Sequence, residues 1–385
     1  MRQTLAITLQ NLRSIPGRIG PSLVAVIGVA GVVAVLVAVL SMARGFESAL
    51  TTGTDPENVV IMRSGSSGEL DSGFDGPTTR LITQAPQLAF ASPELYVVVD
   101  LQKKSTGTQA NVPFRGISED GPAVRDEFEI VEGRLFERGR KELIAGVAAA
   151  EKFSGLEVGN TLQFGQERWD VVGLFSTGGG ATESELWTDT AILQGAYRRG
   201  NSYSIVYGRL QNADDFQAFK DELTTDPRLS VKVERETEFR AQQSEALSGF
   251  ISVLGYGIAI LMALGALFGA LNTMYTAVSD RSREIGTLRA LGFASAPIVV
   301  SVMVEALLLA LAGGVIGAAA AYALFNGFAV STLNFSSFTQ VVFAFAVTPD
   351  LLVQGVILAL FIGLIGGLAP AVRAARMPIV SALRE

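Results

Sequence analysis

The residue types that most often perform covalent chemistry are missing: the 385-residue chain contains neither His nor Cys. That removes the usual zinc ligands, the thiolate nucleophile and the commonest general base. A Ser/His/Asp arrangement is therefore impossible, and the remaining Ser, Lys and carboxylates suggest no catalytic constellation. Four other groupings could bind or move something. Asp126, Glu127 and Glu129 could hold a divalent cation, against the commoner alternative of a solvated acidic turn. Gly178, Gly179 and Gly180 could cradle a phosphate, but Glu183 and Glu185 follow where a nucleotide loop needs a cation, so no such site is expected. Glu305 is the one acidic or basic residue inside a long apolar run, an unfavourable position that implies a function or a dedicated partner. Residues 280–292, Asp-Arg-Ser-Arg-Glu-Ile-Gly-Thr-Leu-Arg-Ala-Leu-Gly, form a short charged segment caught between two apolar runs.

The elements that must position these residues are membrane spans. Hydrophobic residues make up 49% of the chain and charged ones 17%, a balance that points to lipid. The charges are also segregated: residues 47–245 hold 20 Lys/Arg against 32 Asp/Glu, net −12, and the flanks hold 10 against 5, net +5. An acidic middle does not suit nucleic acid. Residues 1–20 carry Arg2, Arg13 and Arg18, with Leu5, Leu9 and Leu12 at helical spacing, and read as an amphipathic surface helix. A first span follows over residues 21–43, long enough to cross ~30 Å of hydrocarbon. The rival reading is a signal peptide cut near Ser41-Met42-Ala43, but an h-region of about 7 to 15 residues is shorter than this run, and an uncleaved anchor is expected.

Residues 44–248 change character to short β-rich runs, among them 59–62, 95–99, 161–164, 168–172, 203–207 and 229–233, between polar turns. Residues 161–164 and 168–174 read as a hairpin, and 143–153 and 212–223 as helices, the latter with Phe216, Phe219 and Leu223 on one stripe. An α+β domain results, with residues 63–80 and 176–181 as mobile Gly- and Ser-rich loops. A second span covers residues 249–278, entered by a helical stalk over 236–248 that lacks a breaker. A charged loop-helix at 279–296 leads to a third span at 297–325, started by Ser295 as cap. A short loop at 326–350, with 341–347 alternating weakly as a strand, precedes a fourth span at 351–372 and a tail at 373–385. The expected fold is thus four transmembrane helices, one plus three, around a large extracytoplasmic domain.

Three short segments, the N-terminal one, residues 280–296 and the tail, carry three Arg each, and the 326–349 loop carries none. The bias places both termini and the charged loop-helix in the cytoplasm and the acidic domain outside. Each of spans two, three and four contains a Gly-x-x-x-Gly: Gly265 with Gly269, Gly313 with Gly317, and Gly363 with Gly367. All six glycines are expected at helix contacts, where they let backbones approach closely, within one chain or across a dimer. Glu305 and Asn272 fall at similar depth, ~12 and ~10 Å from one membrane face. Glu305 is therefore predicted to hydrogen-bond Asn272 or an Arg at the rim, as a clasp between helices. In the loop-helix, Ser279 or Asp280 can cap the start and Gly292 the end. Ile285, Leu288 and Leu291 would share one side, as a docking surface or as a plain interfacial connection.

The run Arg283-Glu-Ile-Gly-Thr-Leu-Arg-Ala-Leu-Gly292, then Glu305-Ala-Leu-Leu-Leu, then Gly313-Gly-Val-Ile-Gly317, resembles the signature of FtsX/MacB-type permeases of ABC transporters, the mechanotransmission class. Residues 366–384 resemble the same family's C-terminal motif, and Gly133-Arg-Leu-Phe and Glu142-Leu-Ile-Ala-Gly146 its MacB-like periplasmic core domain. The resemblance implies a non-catalytic permease subunit in a bacterial inner membrane, a homodimer with a cytoplasmic ATPase on another polypeptide. ATP and Mg would bind that partner and nothing would bind this chain directly. Arg281, Arg283, Glu284, Ile285, Leu288, Arg289, Leu291 and Gly292 would lie at or near the ATPase contact. A periplasmic adaptor and efflux or extraction of a hydrophobic, lipid or peptide substrate are implied for one branch of the family. An FtsX-like regulator of a cell-wall hydrolase or a lipoprotein-release permease would share the architecture.

Overall fold

A computed structural model describes residues 19–125, 127–334 and 337–378. The surface helix expected over residues 1–20 falls almost wholly outside the described residues, as do Asp126 and most of the expected tail. In chain order the elements are α1 (Ile19–Thr51), β1 (Asn58–Arg63), β2 (Phe74–Asp75), α2 (Gly76–Thr83), β3 (Leu88–Gln102), β4 (Gln109–Ile117), β5 (Glu129–Gly133), β6 (Glu142–Gly146) and α3 (Val147–Lys152). Next come β7 (Thr161–Phe164), β8 (Glu167–Ser176), β9 (Leu186–Asp189), α4 (Thr190–Ala196), β10 (Ser202–Tyr203), β11 (Ile205–Leu210), α5 (Phe216–Thr225) and β12 (Val231–Arg235). The chain continues with α6 (Glu236–Ser279), α7 (Ser282–Ala290), α8 (Ser295–Phe325), β13 (Ala329–Asn334), β14 (Thr339–Ala344) and α9 (Pro349–Arg376).

The chain divides into two compact units. One comprises Met1–Arg44, Phe250–Phe328 and Phe345–Glu385, and the other Gly45–Gly249 and Ala329–Ala344. Among the described residues, four helices, α1, α6, α8 and α9, are long and apolar enough to cross a bilayer. The stalk is part of α6, which runs unbroken from Glu236 to Ser279 because no Pro interrupts residues 236–279. Ser295 is the first residue of α8 and not its cap; Ala294 occupies that position without a side-chain bond. α9 begins where the Thr348 side chain accepts from the Leu351 amide, with Pro349 in the first turn.

Small residues decide how the membrane helices meet. A Cβ added at Gly313 would lie 2.8 Å from the Val26 carbonyl, and one at Gly317 would strike the Ala30 carbonyl, so α8 packs on α1 through both glycines. Gly363 and Gly367 of α9 press on Ala310 and Ala306 of α8 in the same way. For the remaining pair the expectation is corrected: neither Gly265 nor Gly269 is a helix-packing residue within this chain. A Cβ added at Gly265 would meet nothing within 4 Å, and a Cβ added at Gly269 would likewise meet nothing within 4 Å. The reason is the orientation of α6, which turns this face outward together with the exposed Leu261, Leu264 and Phe268.

The other unit is built on a mixed sheet in the order β12-β1-β11-β3-β4-β9-β6-β8-β5, with β7 pairing β8. The β7/β8 hairpin turns at Gly165 and Gln166, with Gly165 at φ 62°. Phe216, Phe219 and Leu223 of α5 are buried on one stripe against Val231 and Val233, each contributing on the order of 1.5–3 kcal/mol. Two expectations are corrected. Residues 143–146 form part of β6, buried between β8 and β9, and only the following turn and a half is helical; an apolar run this short fits a buried strand as well as a helix. The stretch at 63–80 is tied down and partly regular: Asp71 accepts from the Ser67 and Gly68 amides, and Asp75 caps α2. The chain at 329–344 forms the hairpin β13/β14, whose edge bonds this domain through Ser184 Oγ to the Val342 amide and through Asn111 Nδ2 to the Phe338 carbonyl.

Candidate functional site

The charged segment after α6 folds as α7, and what fixes it is visible bond by bond. α6 closes with the Asp280 and Arg281 amides donating to Thr276 and Val278. Arg281 is the N-cap of α7, so neither Ser279 nor Asp280 caps it as expected; both are exposed. The Arg281 side chain is buried and forms ion pairs with Glu305 of α8 at 3.6 Å and Glu284 at 3.5 Å. Ile285 packs in a cluster with Met274, Val278, Ile298, Val302 and Ala374. At the far end, Arg289 Nη1 donates to the Ala375 carbonyl at 2.7 Å and the Met377 carbonyl at 2.9 Å. Those carbonyls close α9, where the helix dipole favours a cation. Gly292 ends α7 as expected: its φ is 88°, and the Gly292 and Phe293 amides donate to Arg289 and Leu288 in a Schellman pattern.

α7 therefore has an anchored side and an open side. Arg281 and Ile285 are buried, and Leu288 and Arg289 are half-buried. Arg283, Glu284, Leu291 and Gly292 face outward, Leu291 with 72% of its surface exposed. The expected stripe thus holds for Ile285 and Leu288 but not for Leu291, which follows the last helical residue and leaves the stripe. Of the two partners anticipated for Glu305, the structure realises the arginine. Asn272 is exposed, and its carbonyl accepts from Thr276. Met274, Val278 and Arg281 occupy the inward face of this stretch, and Asn272, two positions before Met274, is turned about 200° from it.

The unit built on the mixed sheet holds a second polar constellation, which sequence reasoning missed. Arg115 of β4 is fully buried and donates to Glu69, Glu94 and Glu185 at 2.7–3.1 Å. Arg125 grips Glu94 with two nitrogens, at 2.8 and 2.9 Å. Tyr207 Oη donates to Glu69 and accepts from Arg240, which also pairs with Glu236 in the first turn of α6. The Arg115 guanidinium lies over the Tyr96 and Tyr207 rings, and that of Arg125 over Trp187 and Tyr207. Burial alone would raise the Glu69 carboxyl, but Arg115 and the hydrogen bonds it donates outweigh burial and hold it below its ordinary 4.5. Burial would depress the Arg115 cation, and Glu185 and Glu69 overcome that and push it up. The Tyr96 and Tyr207 hydroxyls are pushed up chiefly by burial. No sequence signal announces this network: apart from the Glu236–Arg240 pair, its bonded members lie 21 to 138 residues apart.

The glycine loop does cradle an anion, but one of its own chain. The Thr177 and Gly179 amides and the Ser176 hydroxyl all donate to Glu183 Oε1 at 2.7–2.8 Å, which uses the donors a phosphate would need. Glu127 and Glu129 are exposed. Among the described residues, no three Asp or Glu side chains are grouped to hold a metal ion.

Comparison with known proteins fits this division. Residues 22–226, more than half of the chain, match the MacB-like periplasmic core domain, and residues 256–379 match the FtsX-like permease C-terminal domain. A "Macrolide export ATP-binding/permease protein MacB" of Shewanella sp. (strain W3-18-1) is 32% identical over 150 residues, 38% of this chain and 22% of that protein. An uncharacterized ABC transporter permease of Methanocaldococcus jannaschii is 23% identical over 265 residues, 67% of this chain and 66% of that one. The chain therefore spans less than two thirds of the length of these relatives. The periplasmic region of MacB from Actinobacillus actinomycetemcomitans is similar at 12% identity, over 49% of this chain and 94% of that one, with a TM-score of 0.40. With both domain matches in the order the fold requires, the chain belongs to the family of multi-pass membrane permeases that join a MacB-like periplasmic core domain to an FtsX-like permease domain.

Proposed function

We propose that this chain is the transmembrane subunit of an ABC transporter, coupling ATP hydrolysis by a cytoplasmic ATPase on another polypeptide to movement of its own extracytoplasmic domain. The observation that carries the reading is the two-sided α7. Its inner side is bound to α8 through Arg281 and Glu305 and to the end of α9 through Arg289. Its outer side presents Arg283, Glu284, Thr287 and Leu291 to solvent. A partner that pushes on such a helix displaces two spans with it. In this reading α7 and both termini are cytoplasmic, Arg283, Glu284 and Leu291 dock the ATPase, and Arg281, Ile285, Leu288, Arg289 and Gly292 position them. ATP and Mg belong to the partner.

Two copies form the working unit, with the outward face of α6 that carries Gly265 and Gly269 available for contact between them. The route from the ATPase to the domain is α6, one helix whose first two turns enter the buried ionic network through Glu236 and Arg240. Export or extraction of a hydrophobic, lipid or peptide substrate, with a periplasmic adaptor, follows the MacB-like character of the domain. The test is co-purification of the ATPase with wild type and with the Arg283→Glu/Glu284→Arg variant. The expected result is loss of the ATPase from the variant, with the permease still folded. Equal recovery from both would overturn the docking assignment.

A further inference from the structure

α6 and α9 touch at Gly366, where an added Cβ would lie 3.0 Å from Ala270 and 3.4 Å from Leu267. On either side of that contact the two helices leave open space. One side is an apolar crevice of about 430 Å³, lined by Tyr256, Ile260, Leu264, Ile357 and Phe361 among others. The other is a groove of about 990 Å³ toward the α7 end, and Ile365 lines both. The groove is graded along its length. Ile365, Leu368 and Ala369 form its apolar floor, and Leu368 is half exposed. Tyr275, Ser279 and Ser282 line it further along, and Arg373 and Arg376, both exposed, close its end. Among the described residues lining it, none is acidic. Arg373 is held over the Tyr275 ring at 5.4 Å, so its guanidinium is positioned across the groove.

Eight residues of helix separate Ile365 from Arg373, a rise of ~12 Å, close to the ~15 Å of hydrocarbon in one leaflet. The cations therefore stand at headgroup level and the apolar floor at acyl-chain depth. Basic pockets between membrane helices are a known means of holding anionic headgroups. From this charge, depth and grading we infer that the groove is a binding site for an anionic phospholipid of the leaflet on the α7 side. The phosphate sits on Arg373 and Arg376 and an acyl chain lies along Ile365, Leu368 and Ala369. The site adjoins the coupling machinery, because Arg289 bonds the Ala375 and Met377 carbonyls, in the same stretch of α9. A bound lipid thereby steadies the seat of α7. The inference takes its leaflet from the proposed topology, but lipid retention depends on neither topology nor ATPase.

Native mass spectrometry of the full chain, delipidated in detergent and titrated with dioleoyl-phosphatidylglycerol or dioleoyl-phosphatidylcholine, tests it. Wild type should retain phosphatidylglycerol over phosphatidylcholine by on the order of tenfold, the effect of two arginines near a headgroup. Arg373→Gln/Arg376→Gln should abolish that preference, and Arg44→Gln should preserve it. Ala369→Trp, which leaves both charges and fills the floor, should lower retention of phosphatidylglycerol as well. An unchanged thermal midpoint for each variant keeps the reading free of unfolding. Equal retention of the two lipids by wild type, or undiminished retention by the double variant, would overturn the site. Undiminished retention by Ala369→Trp would reduce it to surface charge and overturn the groove. Lipid on monomers with bare dimers would give the groove to a second copy, with the same consequence.

Discussion

The two units bury charge in opposite ways. In the extracytoplasmic domain three arginines and four glutamates, Arg115, Arg125, Arg240, Glu69, Glu94, Glu185 and Glu236, are packed together with two tyrosines. In the membrane unit the Glu305 carboxylate is 3% exposed and pairs with Arg281 of the preceding segment, while helix contacts are made by glycine and alanine. The difference follows from the solvent. A domain folding from water gains from every apolar side chain it buries, and that gain offsets the desolvation of a charged cluster that fixes which strands and which helix meet. Inside lipid, burial of apolar surface supplies no such gain, so helices are held by close backbone approach. An ion pair survives there only where a rim arginine can reach it. α6 carries both regimes in one element, charged from Glu236 to Glu245 and without an acidic or basic residue from there to Ser279.

Substitutions can break this comparison in order of severity. Arg115→Met leaves Glu69 and Glu185 without their principal cation in a dry site. It should destabilise the domain by about 3–5 kcal/mol, read as a lower denaturation midpoint of the full chain in detergent. A change below ~1 kcal/mol would mean that the network is ornamental. Next, Gly317→Leu drives a side chain into the Ala30 carbonyl and should cost about 1–3 kcal/mol. Gly265→Leu and Gly269→Leu, on the open face, should each stay within ~0.5 kcal/mol in the detergent monomer. Equal effects on the closed and open faces would erase the packing argument. Glu305→Gln keeps the shape and removes the charge, and should cost ~1 kcal/mol at the 3.6 Å separation from Arg281.

The smallest effect comes from acid. Glu69 titrates below its ordinary 4.5 in the folded domain, so the folded state binds fewer protons than the unfolded state as pH falls past that value. Its contribution to stability is present above pH 4.5 and lost below, as pH drops through the folded value. Domain tryptophan fluorescence should report this loss, since Trp169 and Trp187 both lie in that unit. A domain whose stability is flat below pH 4.5 would contradict it.

What the sequence made legible was local. Spans were readable from long uncharged runs, the stalk from the lack of a breaker in residues 236–248, and the end of α7 from Gly292. Glu305 announced a need for a partner because an acid in an apolar helix is conspicuous, and the rim arginine was one of two candidates. The strand at Glu142–Gly146 was not separable from a helix, because a short apolar run fits either period. Non-local pairing was invisible: Arg115 meets Glu69, Glu94 and Glu185 only after β4 is placed between β3 and β9. Gly-x-x-x-Gly was equally present in three spans, and nothing in its spacing tells that Gly265 and Gly269 face outward while the other two pairs are packed.

The central claim is that α7 faces the cytoplasm while the acidic domain lies across the membrane from it. The absence of cysteine makes the test direct. Leu291→Cys on the open end of α7 and Ser105→Cys on the domain, both exposed positions, are exposed separately to a membrane-impermeant maleimide in intact spheroplasts. The account predicts labelling of the Ser105 position at once and of the Leu291 position only after permeabilisation. Equal labelling of both before permeabilisation would contradict it.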